Sequence, residues 1–317
     1  MLIAGDAPAR FRPAARRRGR PGAPRLVAGL AVALAAAVLA GGCGGGAAPA
    51  GAGAGPRSAR YYLALGDSLA RGVQPGPSGA RTPTRHGYPD QLYAVLRLRD
   101  PRLRLVKLGC PGETTHTMIS GRHCPYPAGS QLAAAVAFLR AHRGRVELVT
   151  IDIGANDPGS CFTLPVTGPV PPCTAGPALA TAVNLTRIVT RIRSAAGRRV
   201  TIIGMSYYAP ELPEWRLGPA GRQAARRSAH GTLAYDRMLD RVFASAGDRV
   251  ADVAGAFATA DFAGQARLPR PGRLPVSVAA VCRWTWICAP PPRGPDKHPN
   301  TAGYAAIARA FLAAYRP

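Results

Sequence analysis

Lysine is almost missing from this chain of 317 residues: Lys107 and Lys297 are the only two, although lysine and arginine together number 41. Acidic residues are also few, 16 in all, and aromatic side chains make up only 6%. What remains is rich in Ala, Gly, Pro and Arg, the residues of GC-rich codons. The basic excess therefore reads first as coding bias on a solvated surface, and second as adhesion to anionic envelope polymers or lipid headgroups. Nucleic acid is excluded as a partner, since no zinc-finger spacing, RNA-binding aromatic motif or basic heptad is present. No apolar run reaches the roughly 20 residues of a stable membrane span. No short two-residue cysteine spacing with a matching histidine pair exists, which argues against a structural metal. There is no internal repeat, and no cofactor is expected.

The N-terminus reads as a processed segment. Residues 1–25 hold seven arginines, Leu26 to Leu39 is a short Leu/Val/Ala run, and Ala40-Gly41-Gly42 precedes Cys43. A basic segment, an apolar core and small residues before a cleavage point describe an export signal over residues 1–42. Ala-Gly-Gly-Cys also resembles a bacterial lipoprotein processing site, which implies lipidation of Cys43 and attachment to the outer face of the membrane. Plain secretion is the alternative. Residues 43–60 read as a flexible Gly/Ala/Pro tether, leaving 61–317 as the folded domain. Loss of residues 1–42 removes those seven arginines and Asp6, so the basic excess survives.

Six cysteines remain after Cys43. They fall as three sequence-local pairs in loops rich in Pro or Gly: Cys110 with Cys124, Cys161 with Cys173, and Cys282 with Cys288. Proximity suggests sequential pairing, which an oxidising compartment would permit.

Strands and helices alternate along the domain. Strands are expected at Tyr61–Gly66, Leu103–Leu108, Val146–Ile153, Arg199–Met205 and Val250–Val253. Helices are expected at Tyr88–Leu98, Gln131–His142, Ala178–Ala196, Gly221–Ala246 and Thr301–Tyr315. Val146–Ile153 is apolar at nearly every position, as suits a strand covered on both faces. Such alternation implies a parallel sheet between two helical layers with right-handed crossovers. The stretches 158–177 and 264–295 are too long for simple connections and are expected to wall a substrate pocket.

Three short segments carry candidate chemistry. Leu63-Ala64-Leu65-Gly66-Asp67-Ser68-Leu69 delivers a serine to the C-terminal edge of a sheet, where open α/β folds bind ligands. Ile151-Asp152-Ile153-Gly154-Ala155-Asn156-Asp157 ends another strand with an asparagine. Asp296-Lys297-His298-Pro299-Asn300 places a histidine before the last helix. Singly, Ser68 reads equally as a helix cap, Asn156-Asp157 as a turn and His298-Pro299 as the start of a helix. Together they are the parts of an acyl-transfer site. A serine hydroxyl needs an adjacent base, for which His298 is the candidate.

Gly66-Asp67-Ser68-Leu69, Cys110-Pro111-Gly112-Glu113-Thr114-Thr115, Gly154-Ala155-Asn156-Asp157 and Asp296-Lys297-His298-Pro299-Asn300 resemble, in order, the four blocks of the SGNH (GDSL-type) hydrolase family. The pattern covers roughly residues 60–317 and is most similar to secreted actinobacterial lipases and esterases, whose three loop disulfides parallel the six cysteines. This resemblance implies a three-layer α/β/α sandwich with a flavodoxin-like, parallel five-stranded sheet and ester hydrolysis through an acyl-enzyme. It assigns the oxyanion hole to the backbone N–H groups of Ser68 and Gly112 and the side-chain amide of Asn156. Ala70 stands where the second glycine of Gly-x-Ser-x-Gly would fall, so the chain does not resemble nucleophile-elbow hydrolases.

The orienting acid of this family usually sits three residues before the histidine, a position held here by Pro295. Asp296 lies two before. Either it reaches His298 Nδ1, or a backbone carbonyl such as that of Pro295 fixes the ring; a Ser-His dyad aided by Asp296 is the expectation. His86, His116, His123, His142 and His230 read as surface residues, Asp67 and Asp157 as loop anchors, and Glu113 as pocket rim. Trp284 and Trp286 read as an aromatic hairpin lining an acyl or sugar pocket or filling core. The expected protein is an exported, lipid-anchored or secreted serine esterase or lipase acting on a small-molecule, lipid or glycan ester. A carbohydrate O-deacetylase and a non-catalytic envelope protein binding glycan or lipid are the alternatives. No oligomer interface is evident, and a monomer is expected.

Overall fold

Five short apolar segments form the frame of a computed structural model that describes residues 58–157, 175–268 and 272–316. They are β1 (Arg60–Gly66), β2 (Leu103–Lys107), β3 (Val146–Asp152), β4 (Thr201–Met205) and β5 (Arg249–Ala251). All pair in parallel, in the order β2-β1-β3-β4-β5. In β1 and β3 the last five residues are all buried, because helices cover both faces of a parallel sheet. The order reverses at β1, so the ends of β1 and β3 border the crevice where this topology binds ligands.

The principal helices are α1 (Tyr88–Arg99), α2 (Gln131–Ala141), α3 (Ala175–Ala196), α4 (Gly218–Ser245) and α5 (Thr301–Ala314). Helices α2, α3 and α4 pack side by side, and α1 packs on α5. Right-handed crossovers put these two groups on opposite faces of the sheet. Stacked rings of Tyr88 and Phe311, 4.5 Å apart, join α1 to α5. Ser130 and Asn300 cap α2 and α5 through their side chains, accepting from the N–H groups of Ala133 and Gly303. The architecture is the expected α/β/α sandwich, and the expected element ends lie within three residues of those observed.

Stretch 264–295 departs from its reading as a long loop. It contains a hairpin of Gln265–Leu268 with Gly272–Pro275, a helix at Val276–Trp284 and the short strand Thr285–Trp286. A short helix at Thr115–Ser120, capped by Thr114, was also not foreseen. Disulfides join Cys110 to Cys124 and Cys282 to Cys288. The Cys161 and Cys173 pair, Cys43, the export segment and nearly all of the tether lie outside the described residues. Among the described residues no helix is long and apolar enough to cross a membrane.

Candidate active site

Ser68 opens a single helical turn, Ser68–Arg71, directly after β1. The helix cap is Asp67 rather than the serine: its Oδ1 accepts from Leu69 N at 2.9 Å and, at 3.4 Å, is also within reach of the Ser68 hydroxyl. The turn needs glycine at position 66, where φ is +135° and a Cβ would stand 2.1 Å from the Asp152 carbonyl oxygen. Gln131, at the start of α2, holds the same glycine by both backbone groups, accepting from its N–H at 2.7 Å and donating to its carbonyl at 2.9 Å. The position of Ser68 is therefore fixed by buried hydrogen bonds from a helix far along the chain.

His298 lies on the strand Asp296–Pro299, which pairs antiparallel with Thr285–Trp286. Its Nε2 is 3.0 Å from Ser68 Oγ, and its Nδ1 is 2.8 Å from Asp296 Oδ1. The carboxylate can only accept, so Nδ1 carries the proton and Nε2 is free to accept from the serine hydroxyl. Burial works against the Asp296 charge, but the hydrogen bonds and charge of His298, with Arg81 behind them, hold this carboxyl at about 2. Of the two partners that the sequence left open for Nδ1, Asp296 or a backbone carbonyl such as that of Pro295, it is Asp296 that lies within hydrogen-bond distance. On an extended strand, residues i and i+2 share a face, which is why a two-residue spacing reaches the ring.

Gly112 lies in the loop after β2 with φ of +83°, a conformation that favours glycine. A Cβ there would stand 2.8 Å from His123 Nε2, which is itself 2.9 Å from the Pro111 carbonyl oxygen. Among the described residues the backbone N–H groups of Ser68 and Gly112 have no partner. Asn156 differs. Its Nδ2 donates to Asp67 Oδ2 at 3.0 Å and to the Glu113 carbonyl at 3.1 Å, which engages both of its N–H groups.

Next to Ser68 lies a carboxyl pair, Asp67 and Asp152, that no sequence pattern signals. Asp152 accepts from Asp67 N at 3.2 Å and Ala70 N at 3.1 Å, and receives the Tyr88 hydroxyl at 2.5 Å. Burial pushes Asp67 up to about 6 and Asp152 well above the ordinary carboxyl range, and the neighbouring Asp67 charge adds to the rise at Asp152. Asp67 and Asp157 anchor loops as expected, Asp157 by accepting from the N–H and hydroxyl of Thr115. Glu113 is not a rim residue: it is 1% exposed and receives Gln131 Nε2 at 3.1 Å. His86, His116, His123 and His230 are exposed, while His142 is half-buried, stacked on Phe138.

Two cavities meet at the site. One, about 160 Å³, is lined by Ser68, Asn156, His298, Tyr207 and Tyr208 among others. Its neighbour, about 700 Å³, has apolar walls from Pro210, Pro213, Leu217, Leu274, Ile287 and Pro295. Arg81, Pro210 and Lys297 line both. Stretch 264–295 supplies three of these wall residues, whereas 158–174 lies outside the described residues. Neither tryptophan lines the two cavities: Trp284 meets the Phe257 ring edge-on at 5.1 Å, and Trp286 donates to Gln74 at 3.3 Å. Among the described residues no cluster of His, Cys, Asp and Glu is arranged to hold a metal ion.

Comparison with known proteins gives a family and a fold. The family model for the GDSL-like Lipase/Acylhydrolase family matches residues 64–306. The fold is similar to that of an extracellular lipase from Streptomyces rimosus, at 18% identity, a TM-score of 0.50, and coverage of 81% of this chain and 100% of that one. Phospholipase A1 from Streptomyces albidoflavus aligns at 17% identity and a TM-score of 0.49, covering 81% and 100%. A variant of an acetyl xylan esterase from Geobacillus stearothermophilus aligns at 18% and 0.46, covering 81% and 94%. No curated protein sequence matches the chain.

Proposed function

Because the chain belongs to the GDSL-like lipase/acylhydrolase family and is a hydrolase of that family, we propose that it cleaves carboxylic esters through a Ser68–His298–Asp296 triad. The observation that carries this reading is the unbroken chain of hydrogen bonds from Ser68 Oγ through both ring nitrogens of His298 to Asp296. Ser68 Oγ attacks the ester carbonyl carbon while Nε2 takes the hydroxyl proton. The tetrahedral intermediate then collapses, and the same proton leaves with the alcohol. Water, deprotonated by Nε2, attacks the acyl-enzyme; the serine recovers its proton and the carboxylic acid departs.

Negative charge on the former carbonyl oxygen is met by the N–H groups of Ser68 and Gly112. Such fixed donors are worth about 2.7–4 kcal/mol each. Asn156 joins as the third donor by exchanging its bond to the Glu113 carbonyl for one to the oxyanion. Asp67, on its other N–H, keeps the amide aimed.

The apolar walls of the larger cavity favour an ester with a hydrocarbon portion over an acetylated sugar. A volume of about 700 Å³ is in the range of roughly 300–1,000 Å³ found for pockets that enclose a drug-sized ligand. We read residues 61–317 as the catalytic domain of an exported, monomeric enzyme, with residues 1–42 removed and Cys43 as the lipidation site. The two disulfides support an oxidising compartment.

The test is hydrolysis of p-nitrophenyl acetate, octanoate and palmitate by residues 44–317, with Ser68→Ala alongside. Activity that rises with chain length and vanishes in the variant is expected. Activity confined to acetyl esters would move the reading to O-deacetylation, and none from oxidised, folded protein would move it to binding.

A further inference from the structure

Asp296 Oδ1 carries an unusual load. It accepts both the backbone N–H and the ring Nδ1–H of His298, each at 2.8 Å. Both bonds come from one residue only two positions away on the same strand. The chain next to Asp296 therefore engages a single oxygen, and rotation of the carboxylate about its own axis would exchange the oxygen presented to the ring. The second oxygen is what fixes that rotation. Its partner is Nε of Arg81, while Asp296 is only 4% exposed.

Arg81 arrives there for a structural reason. It lies on the strand Arg81–Thr82, which forms a hairpin with Gln74–Pro75 directly after the Ser68 helix. The hairpin is fastened to the histidine block, since Gln74 Oε1 accepts from Trp286 Nε1 at 3.3 Å and Trp286 pairs with Asp296 across the neighbouring strands. The loop that follows the nucleophile thus carries a cation to the far side of the acid, 215 residues along the chain.

We propose that Arg81 is a positioning residue for ester hydrolysis: it holds the Asp296 carboxylate in the rotation that presents Oδ1 to His298 Nδ1. The proposal rests on the triad reading above. A guanidinium suits the task because it is planar and permanently charged, so it favours one in-plane orientation of the carboxylate. The Arg81 side chain is 59% exposed, and an ion pair so open to solvent adds little to folding stability. Its loss should appear in turnover rather than in melting temperature. Arg81 also lines both cavities, so the split between kcat and KM is what separates an effect on the triad from an effect on binding.

The experiment is a double-mutant cycle on p-nitrophenyl acetate with Arg81→Met, Asp296→Asn, the double variant, and Ser68→Ala as the control. Arg81→Met should lower kcat by about ten- to a hundredfold, the range for removing an outer-shell partner, with KM and Tm close to the parent. Added to Asp296→Asn it should lower kcat no further, because residues acting through one another are not additive. Arg81→Lys should recover part of the loss, and it carries the test if the methionine variant folds poorly. A full kcat for Arg81→Met, or an undiminished loss on the Asp296→Asn background, would overturn the proposal. If Asp296→Asn alone keeps full activity while Ser68→Ala is dead, the serine mechanism stands and Arg81 has no positioning role. Activity surviving in Ser68→Ala would instead reject the triad reading itself.

Discussion

Asp236, on the inner side of α4, should make the protein less stable as pH rises. It is 4% exposed; Oδ1 accepts from Tyr207 N at 2.8 Å, and Oδ2 is buried with no partner among the described residues. Burial, aided by the neighbouring charges of Asp240 and Asp252, pushes this carboxyl up to about 8. In the unfolded chain it titrates near 3.9. Between those values the folded protein holds a proton that the unfolded chain has released, so stability falls across about pH 4 to 8 and is unaffected by this group below that window. A difference of about four pH units at 1.36 kcal/mol each sets an upper bound of about 5 kcal/mol by pH 9. Asp236→Asn keeps an acceptor for Tyr207 N–H and cannot ionise. Its cost, one unpaired N–H more than the single O–H of the protonated carboxyl, is about 1 kcal/mol and independent of pH. Urea unfolding of both proteins with disulfides intact, at pH 5, 7 and 9, is the assay. The variant should be equal or slightly weaker at pH 5 and more stable by several kcal/mol at pH 9. Asp67 and Asp152 also titrate with folding, but they are common to both proteins and cancel in the difference. Parallel stability curves would refute the reasoning.

Two further outcomes follow from the site. Gly112→Ala places a methyl group against His123 and puts a non-glycine residue at φ of +83°, so kcat should fall by tenfold or more, about 1.4 kcal/mol of transition-state stabilisation, while KM changes little in steady-state assays. Ile287→Trp should fill part of the larger cavity: kcat/KM for p-nitrophenyl palmitate should drop at least tenfold with the acetate unchanged, whereas a uniform drop on both would show that the long chain lies elsewhere.

The sheet was legible because its central strands are buried on both faces and so read as apolar runs that stop at Gly66 and Asp152. Ser68, Gly112 and Asn156 could be singled out because each follows a strand of the sheet, and His298 because it stands just before the last helix. Helix Val276–Trp284 escaped notice because it is nine residues long, rich in valine and flanked by proline-rich sequence. The choice between Asp296 and a backbone carbonyl stayed open for a different reason. Spacing alone does not say whether a segment is a turn or a strand, and only the strand brings residues two apart onto one face. Arg81 and Gln131 had no local signal at all, since their partners lie 215 and 65 residues away. Arginine is so common in this chain that nothing sets one apart by composition.

The hydroxyl of Ser68 and the ring of His298 meet across 230 residues of chain, and the strand that carries the histidine leads directly into α5. A fragment that lacks either end of that span cannot assemble the pair. A partly folded chain with an intact central sheet but an undocked Asp296–Pro299 strand would hold an unactivated serine, harmless to whatever esters surround it. On the proposed triad reading, ester turnover is a readout of the docking of that segment, and its recovery during refolding would time an event that spectroscopic signals from the sheet do not isolate.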